Sequence, residues 1–227
     1  MNTANTVLNT TTDFIGQYEI RATKKREYID QFKVLLKDLY ASDPRMKGFR
    51  EDSTTDDLHY KDPDNHVLLA LHGDKVIGGI CVRISTPEFP VRLDLENDIL
   101  PENGQSEFHL QDLFPNLDLK NYAYAECNRV VLHPDYRDGE LLKRLLIAPR
   151  DLCERYHVRY IFAFSDLVRL RTYRRAFKSM DEEVEICDAD FSLRYNPEGL
   201  KMRMLYGEFR AFREARQIAE NQQTAAA

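Results

Sequence analysis

Residues 122–158, YAYAECNRVVLHPDYRDGELLKRLLIAPRDLCERYHV, pass from an extended pattern through a charged turn into a helical pattern without interruption. The first part, 122–132, is rich in β-branched and aromatic residues. An extended chain puts Ala123, Ala125, Cys127, Arg129 and Val131 on one face and Tyr124, Glu126, Asn128, Val130 and Leu132 on the other. His133-Pro134-Asp135 ends the strand, because proline lacks the ladder donor and aspartate favours turns. From Gly139 onward Leu141, Leu142, Leu145, Leu146, Leu152, Cys153 and Tyr156 recur every three or four residues, which predicts a helix. A helix starting near Arg137 to Gly139 aims unpaired N–H groups and the positive end of its dipole at whatever lies above the strand, so the junction reads as a phosphate site.

Around this unit the elements follow in order. A strand is predicted over 17–21, and a helix over 26–40 with Tyr28, Ile29, Phe32, Leu35, Leu36 and Leu39 on one face. Residues 46–64 are charged and without period, and read as a loop. Two strands, 66–71 and 75–85, join through Gly73-Asp74 as a hairpin. A long insertion, 86–121, is acidic around Asp94 to Asp98, and such a length in one domain is usually functional. Beyond the central unit come a strand at 159–164 and a helix capped by Ser165-Asp166 that runs to Lys178. An antiparallel pair, 183–187 with 201–209, turns at Asn196-Pro197-Glu198-Gly199. The order predicts one α/β domain over 15–210, a mixed, mostly antiparallel sheet flanked by helices, between a disordered tail at 1–14 and a polar tail at 211–227, where a short polar helix from 210 frays into QQTAAA.

Composition narrows the function. A chain of 227 residues, 43% apolar, buries one substantial core. Its net charge of −6 leaves no basic footprint for nucleic acid. Cys81, Cys127, Cys153 and Cys187 stand apart, with no C-x-x-C pair, and read as reduced core thiols of a cytoplasmic protein. The histidines lack metal spacing, so no metal is expected. No apolar run reaches the ~20 residues of a membrane span, and the N-terminal MNTANTVLNTTTDF lacks the basic start and apolar stretch of a secretory signal.

Residues 131–146, VLHPDYRDGELLKRLL, resemble the Gcn5-related N-acyltransferase (GNAT) superfamily, whose fourth strand runs through V-x-P-x-Y-R-x-x-G-x-G/A into a helix. Glu140 and Leu142 stand where that family has glycines. The acyl-homoserine-lactone synthases and N-acyl amino acid synthases share the fold, and the chain is similar to the lactone synthases at Glu126-Cys127-Asn128-Arg129 (their E-x-S-R), at 110–117, LQDLFPNL, and at Arg83. It has no tryptophan, and only Asp57-Leu58-His59-Tyr60 where those synthases carry D-x-x-D. The resemblance spans roughly residues 18–209.

The resemblance implies an N-acyltransferase using acyl-CoA or acyl carrier protein as donor and a primary amine as acceptor. Such transfer needs a base for the ammonium, donors for the tetrahedral oxyanion and a proton for the leaving thiolate. Glu126 is the candidate base, since burial in an apolar strand raises a carboxyl pKa; a structural ion pair with Arg129 or Arg83 is the alternative. Backbone N–H groups of Val131 or Leu132 are implied to polarise the thioester carbonyl, and Arg137, Asp138, Gly139, Glu140, Leu141 and Leu142 to hold the donor's pyrophosphate. Arg83, Asn128 and Arg129 are the candidate substrate contacts. Tyr173 is the candidate acid, or else simply packs on Phe177. His133 reads as a turn residue. The run Arg169, Arg171, Arg174, Arg175 and Lys178 is either a solvated helix face or a dock for an acidic carrier protein, which Lys143, Arg144, Arg150 and Arg155 could extend. An autoinducer (acyl-homoserine-lactone) synthase is the second reading, and a catalytically degenerate member that binds acyl-CoA or a partner protein the third.

Overall fold

The computed structural model describes residues 13–15, 18–43, 62, 64–101, 106–137, 139–179, 182–194 and 197–225. Its strands are β1 (Asp13–Ile15), β2 (Tyr18–Ala22), β3 (Asn65–His72), β4 (Lys75–Ser85), β5 (Ala123–Leu132), β6 (Val158–Ser165), β7 (Val184–Ile186) and β8 (Arg203–Glu208). They form one sheet in the order β1-β2-β3-β4-β5-β6-β8-β7. Only β5 and β6 run parallel; every other neighbouring pair is antiparallel. A parallel pair needs a crossover, supplied here by α4 (Gly139–Ile147) and α5 (Pro149–Arg155). This is the mixed, mostly antiparallel α/β sheet that the sequence predicts.

Helices cover both faces. On one, α1 (Arg26–Ser42) packs Phe32 and Leu36 against Leu69, Leu71, Cys81 and Val131. Beside it the segment after β4, carrying α2 (Asp94–Asp98) and α3 (Leu110–Leu113), buries Leu93, Leu95, Leu110 and Phe114 over Tyr160, Phe162 and Met204. Buried Glu96 ties this segment together by accepting from Leu93 N (3.1 Å) and Leu110 N (2.9 Å). On the other face α4, α5 and α6 (Leu167–Lys178) close the largest cluster, around Ile80, Val82, Ala125, Leu141, Leu145, Leu170 and Phe177. Asp166 caps α6, accepting from Val168 N and Arg169 N.

The structure revises the sequence reading in three places. The helical pattern from Gly139 is two helices, because Pro149 cannot continue the first and instead opens the second. β1 pairs with β2 from Asp13, inside the stretch assigned to a disordered tail. The polar C-terminal stretch forms the helix read there, α7 (Arg210–Ala225). The third revision concerns β5. Between the pairs Gly79↔Val131 and Cys81↔Asn128, β4 spends one residue and β5 two, a β-bulge whose Arg129 has φ +51°. Strict alternation puts Val131 beside Cys127 and Leu132 beside Glu126. The extra residue reverses both, so Val131 packs with Phe32, and Leu132 with Ala125 and Cys127. Glycines on β4 permit the close approach: a Cβ on Gly78 would lie 2.8 Å from Val131 O, and one on Gly79 2.6 Å from the Phe32 ring. The Asp57-Leu58-His59-Tyr60 stretch, most of the 46–64 loop, Asn196 of the predicted turn and Asp138 lie outside the described residues.

Candidate active site

β5 and β6 pair from Ala123↔Val158 to Cys127↔Ala163 and then separate, although β5 continues to Leu132 and β6 to Ser165. The gap opens into a cleft of about 710 Å³ bounded by the two strand ends, the end of α1, the start of α4 and one face of α6. His133 N donates to Ile77 O at 2.8 Å. By antiparallel alternation the N–H of Val131 then points toward β4, and that of Leu132 away from β4 into the gap. Of the two candidate oxyanion donors, geometry favours Leu132. The turn between β5 and α4 is fixed by Tyr136, whose ring meets Tyr18, His72 and His133 edge-on and whose hydroxyl lies 3.1 Å from His72 Nδ1. His133 accepts from Asp135 N within that turn.

Glu126 sits where the paired part of β5 ends, opposite Arg83 on one side and Phe162 on the other. It is 2% exposed and lines the cleft. Leu95 N, in α2, donates to its Oε2 at 3.1 Å. Burial, then the negative charge of Asp94, pushes its carboxyl up to about 8, against the opposing pull of Leu95 N–H and Arg129. The two candidate ion-pair partners are held elsewhere. Asp94 Oδ2 accepts from Arg129 Nη1 (2.6 Å) and Asn128 Nδ2 (2.9 Å), and Arg83 Nη1 lies 3.4 Å from Asp94 Oδ1. Arg83 also pairs with Asp62 at 3.0 Å. Arg83, Asn128 and Arg129 are thus gathered around one carboxylate, and Glu126 beside them has no salt bridge among the described residues.

Tyr173 packs in the cluster containing Phe177, and it also lines the cleft. Burial pushes its phenol well above the usual range, so the hydroxyl stays protonated. Arg137, Gly139 and Leu142 line the cleft at the start of α4. Glu140 does not; its carboxylate pairs with Arg144 at 3.0 Å and faces a different pocket on α4. The Leu141 side chain is buried in the core, 1% exposed, leaving only its backbone N–H for an anion. Arg169 separates from the basic run, pairing with Asp43 (3.0 Å) and Asp166 (2.9 Å) in the cleft wall. Arg171, Arg174, Arg175 and Lys178 are exposed along α6 without an ion pair among the described residues.

No protein-family model and no curated protein sequence matches the chain. Solved structures do. FeeM, an N-acyl amino acid synthase from uncultured soil microbes, superposes with a TM-score of 0.57 at 12% identity, over 83% of this chain and 90% of its own. Arabidopsis thaliana NAA60, solved with acetyl-CoA, gives 0.55 at 10% identity, over 85% and 98%. BjaI, a CoA-dependent acyl-homoserine lactone synthase solved with SAM and isopentyl-CoA, gives 0.51 at 18% identity, over 81% and 77%.

The chain has the GNAT fold. Within that fold, the residue that sequence reading missed is Asp94. It was visible only as part of an acidic stretch, and nothing local marks it as the shared partner of three residues on β4 and β5, two arginines and an asparagine. Tyr40 and Asp43, at the end of α1, also line the cleft. They lie beyond the last apolar repeat of that helix and give no periodic signal. Among the described residues no group of three His, Cys, Asp or Glu side chains is placed to hold a metal ion, and no helix is long and apolar enough to cross a membrane.

Proposed function

We propose that the protein is an N-acyltransferase that moves an acyl group from a thioester, acyl-CoA or acyl carrier protein, to a primary amine such as an amino acid. The carrying observation is a buried carboxyl, Glu126, at the point where two parallel strands part beside the start of α4. The donor's pyrophosphate lies at that helix start, where unpaired N–H groups and Arg137 favour an anion. Its pantetheine arm runs through the gap between β5 and β6, and the carbonyl meets the N–H of Leu132. The acceptor enters from the side of the cleft lined by Asp94 and Asp98. Glu126 takes the ammonium proton, directly or through water. The free nitrogen attacks the carbonyl carbon, and the carbon–sulfur bond breaks as the tetrahedral intermediate collapses. An amine and a carboxyl that both titrate near 8 exchange a proton with little driving-force penalty. Tyr173, held protonated, donates a hydrogen bond to the departing thiolate, and the proton that the new amide nitrogen sheds ends on that sulfur as the free thiol.

The exposed basic face of α6 suits an acidic carrier protein as the donor's bearer, with Arg174 and Arg175 at its centre. Buried free thiols at Cys81, Cys127 and Cys153 suit the reducing cytoplasm. The testing experiment incubates the full chain with acyl-CoA and acyl carrier protein thioesters of several chain lengths and a panel of amines, following thiol release. Amine-dependent release that drops 10²- to 10⁴-fold in Glu126→Gln supports the reading. Release that ignores the amine, or equal rates in both proteins, leaves the degenerate binding protein. The likeness to BjaI supports the second reading, an acyl-homoserine-lactone synthase, for which the same assay with adenosylmethionine would yield methylthioadenosine.

A further inference from the structure

A second pocket, of about 360 Å³, lies between β2, β3 and the helices α4 and α5. Glu140, Lys143, Arg144 and Ile147 line it, whereas Gly139 and Leu142 line the cleft, so the two sites use different faces of α4. Its floor is apolar: Ile20, Leu68 and Leu152 belong to the main core, with Ile147 and Ala148 beside them. Its rim carries four cations, Arg21, Lys143, Arg144 and Arg155, against two carboxylates, Glu140 and Asp151. In a chain with net charge −6, that is a local reversal of sign. Arg144 is engaged by Glu140 and Arg21 by Glu19, at 3.0 and 3.2 Å. Lys143 and Arg155 have no ion pair among the described residues. His66, 5% exposed, forms part of the wall. Its ring is pushed down to about 4 by burial, then by the positive charges of Lys24 and Arg155, with Asp62 opposing.

We propose that this pocket binds a small amphipathic monocarboxylate, a single carboxylate on a short hydrocarbon or aromatic body. The volume sits at the low end of the roughly 300–1,000 Å³ typical of organic ligand sites. An apolar floor rewards a hydrocarbon, and Lys143 and Arg155, set against Asp151 as the one lining carboxylate without an ion pair among the described residues, leave one net positive charge to reward one negative charge. A bare inorganic anion would leave the floor uncovered, and a neutral hydrocarbon would leave Lys143 and Arg155 unanswered. The carboxylate lies between those two side chains with His66 alongside, and the body rests on Ile20, Leu68, Ile147 and Leu152.

The probe is octanoate, titrated into the full chain by calorimetry and followed at the His66 ring by NMR. One saturable site is expected, with octanol binding at least tenfold more weakly. Arg155→Glu and Lys143→Glu should each weaken octanoate at least tenfold, while thermal melts show that the variants fold. Bound carboxylate should raise the His66 pKa by a unit or more, because an adjacent negative charge favours the imidazolium. Saturating CoA should leave the octanoate Kd within twofold, since it occupies the other face of α4. Absence of saturable binding overturns the proposal. So does binding that both charge reversals and His66 ignore, or binding that CoA abolishes, which would place octanoate in the cleft.

Discussion

Replacing Glu126 by Gln should make the protein's stability less sensitive to alkali, because the folded chain holds that carboxyl far from its solution pKa. An unfolded glutamate titrates near ~4.3, and the folded one at about 8. A group whose pKa rises on folding contributes stability that is complete below the unfolded value and is lost as pH climbs to the folded one. Between pH 5 and 9 roughly three units of that interval remain, at ~1.4 kcal/mol each, so wild type should lose about 3–4 kcal/mol relative to the variant. For a chain of this size each kcal/mol moves Tm by about 2–4 °C. Glutamine still accepts from Leu95 N, and any fixed cost of its extra amide hydrogens is independent of pH. Thermal melts of both proteins at pH 5, 7 and 9 isolate the effect: the difference in Tm should swing toward the variant by roughly 6–16 °C. Parallel curves would show that Glu126 ionises normally and is not desolvated as the fold requires.

Three further outcomes follow from the same geometry. The pH profile of kcat/KM should rise about tenfold per unit toward an apparent pKa near 8 and level off above it, measured with an acceptor whose amine titrates elsewhere; a profile flat from 6 to 9 removes Glu126 as base. Asp94→Asn should shift that midpoint to lower pH, because Asp94's charge helps raise Glu126, and should cost about 1–3 kcal/mol in denaturant melts as Arg83, Asn128 and Arg129 lose their shared carboxylate; an unmoved midpoint contradicts the electrostatics. Gly78→Ala should cost about 1–3 kcal/mol and weaken acyl-CoA binding, because its Cβ would press on Val131 O and Leu132 at the end of β5, whereas Gly139→Ala, with nothing within 4 Å, should leave stability within about 0.5 kcal/mol; equal melts for the two variants would dismiss the close β4–β5 approach.

Much of the fold was legible because its elements carry their own period. The β3–β4 hairpin, the alternation of β5 and the leucines of α4 each answer to local chemistry. The features that shape the cleft were not legible for the same reason. The bulge at Arg129 arises because β4 spends one residue where β5 spends two, a property of a pair of strands that neither sequence states alone. It alters which side chains share a face and leaves Leu132 N–H turned into the gap. Pro149 was the exception, a local signal overrun by a strong leucine repeat. Glu126 could be singled out as a carboxyl inside an apolar strand, and the structure buries it as that position demands. Its electrostatic setting depends on Asp94, thirty-two positions earlier in the chain, brought over β5 by a segment without periodicity. Glu140 shows the converse. Its motif position suggested a charge facing phosphates, but helical geometry pairs it with Arg144 on another face of α4.

The most direct test is a crystal structure of the protein with a long-chain acyl-CoA. Density should run from the start of α4 through the gap between β5 and β6, with the thioester oxygen about 3 Å from Leu132 N and the carbonyl carbon near Glu126. A donor bound elsewhere, with Glu126 still sealed beneath α2 and the gap unfilled, would contradict the assignment.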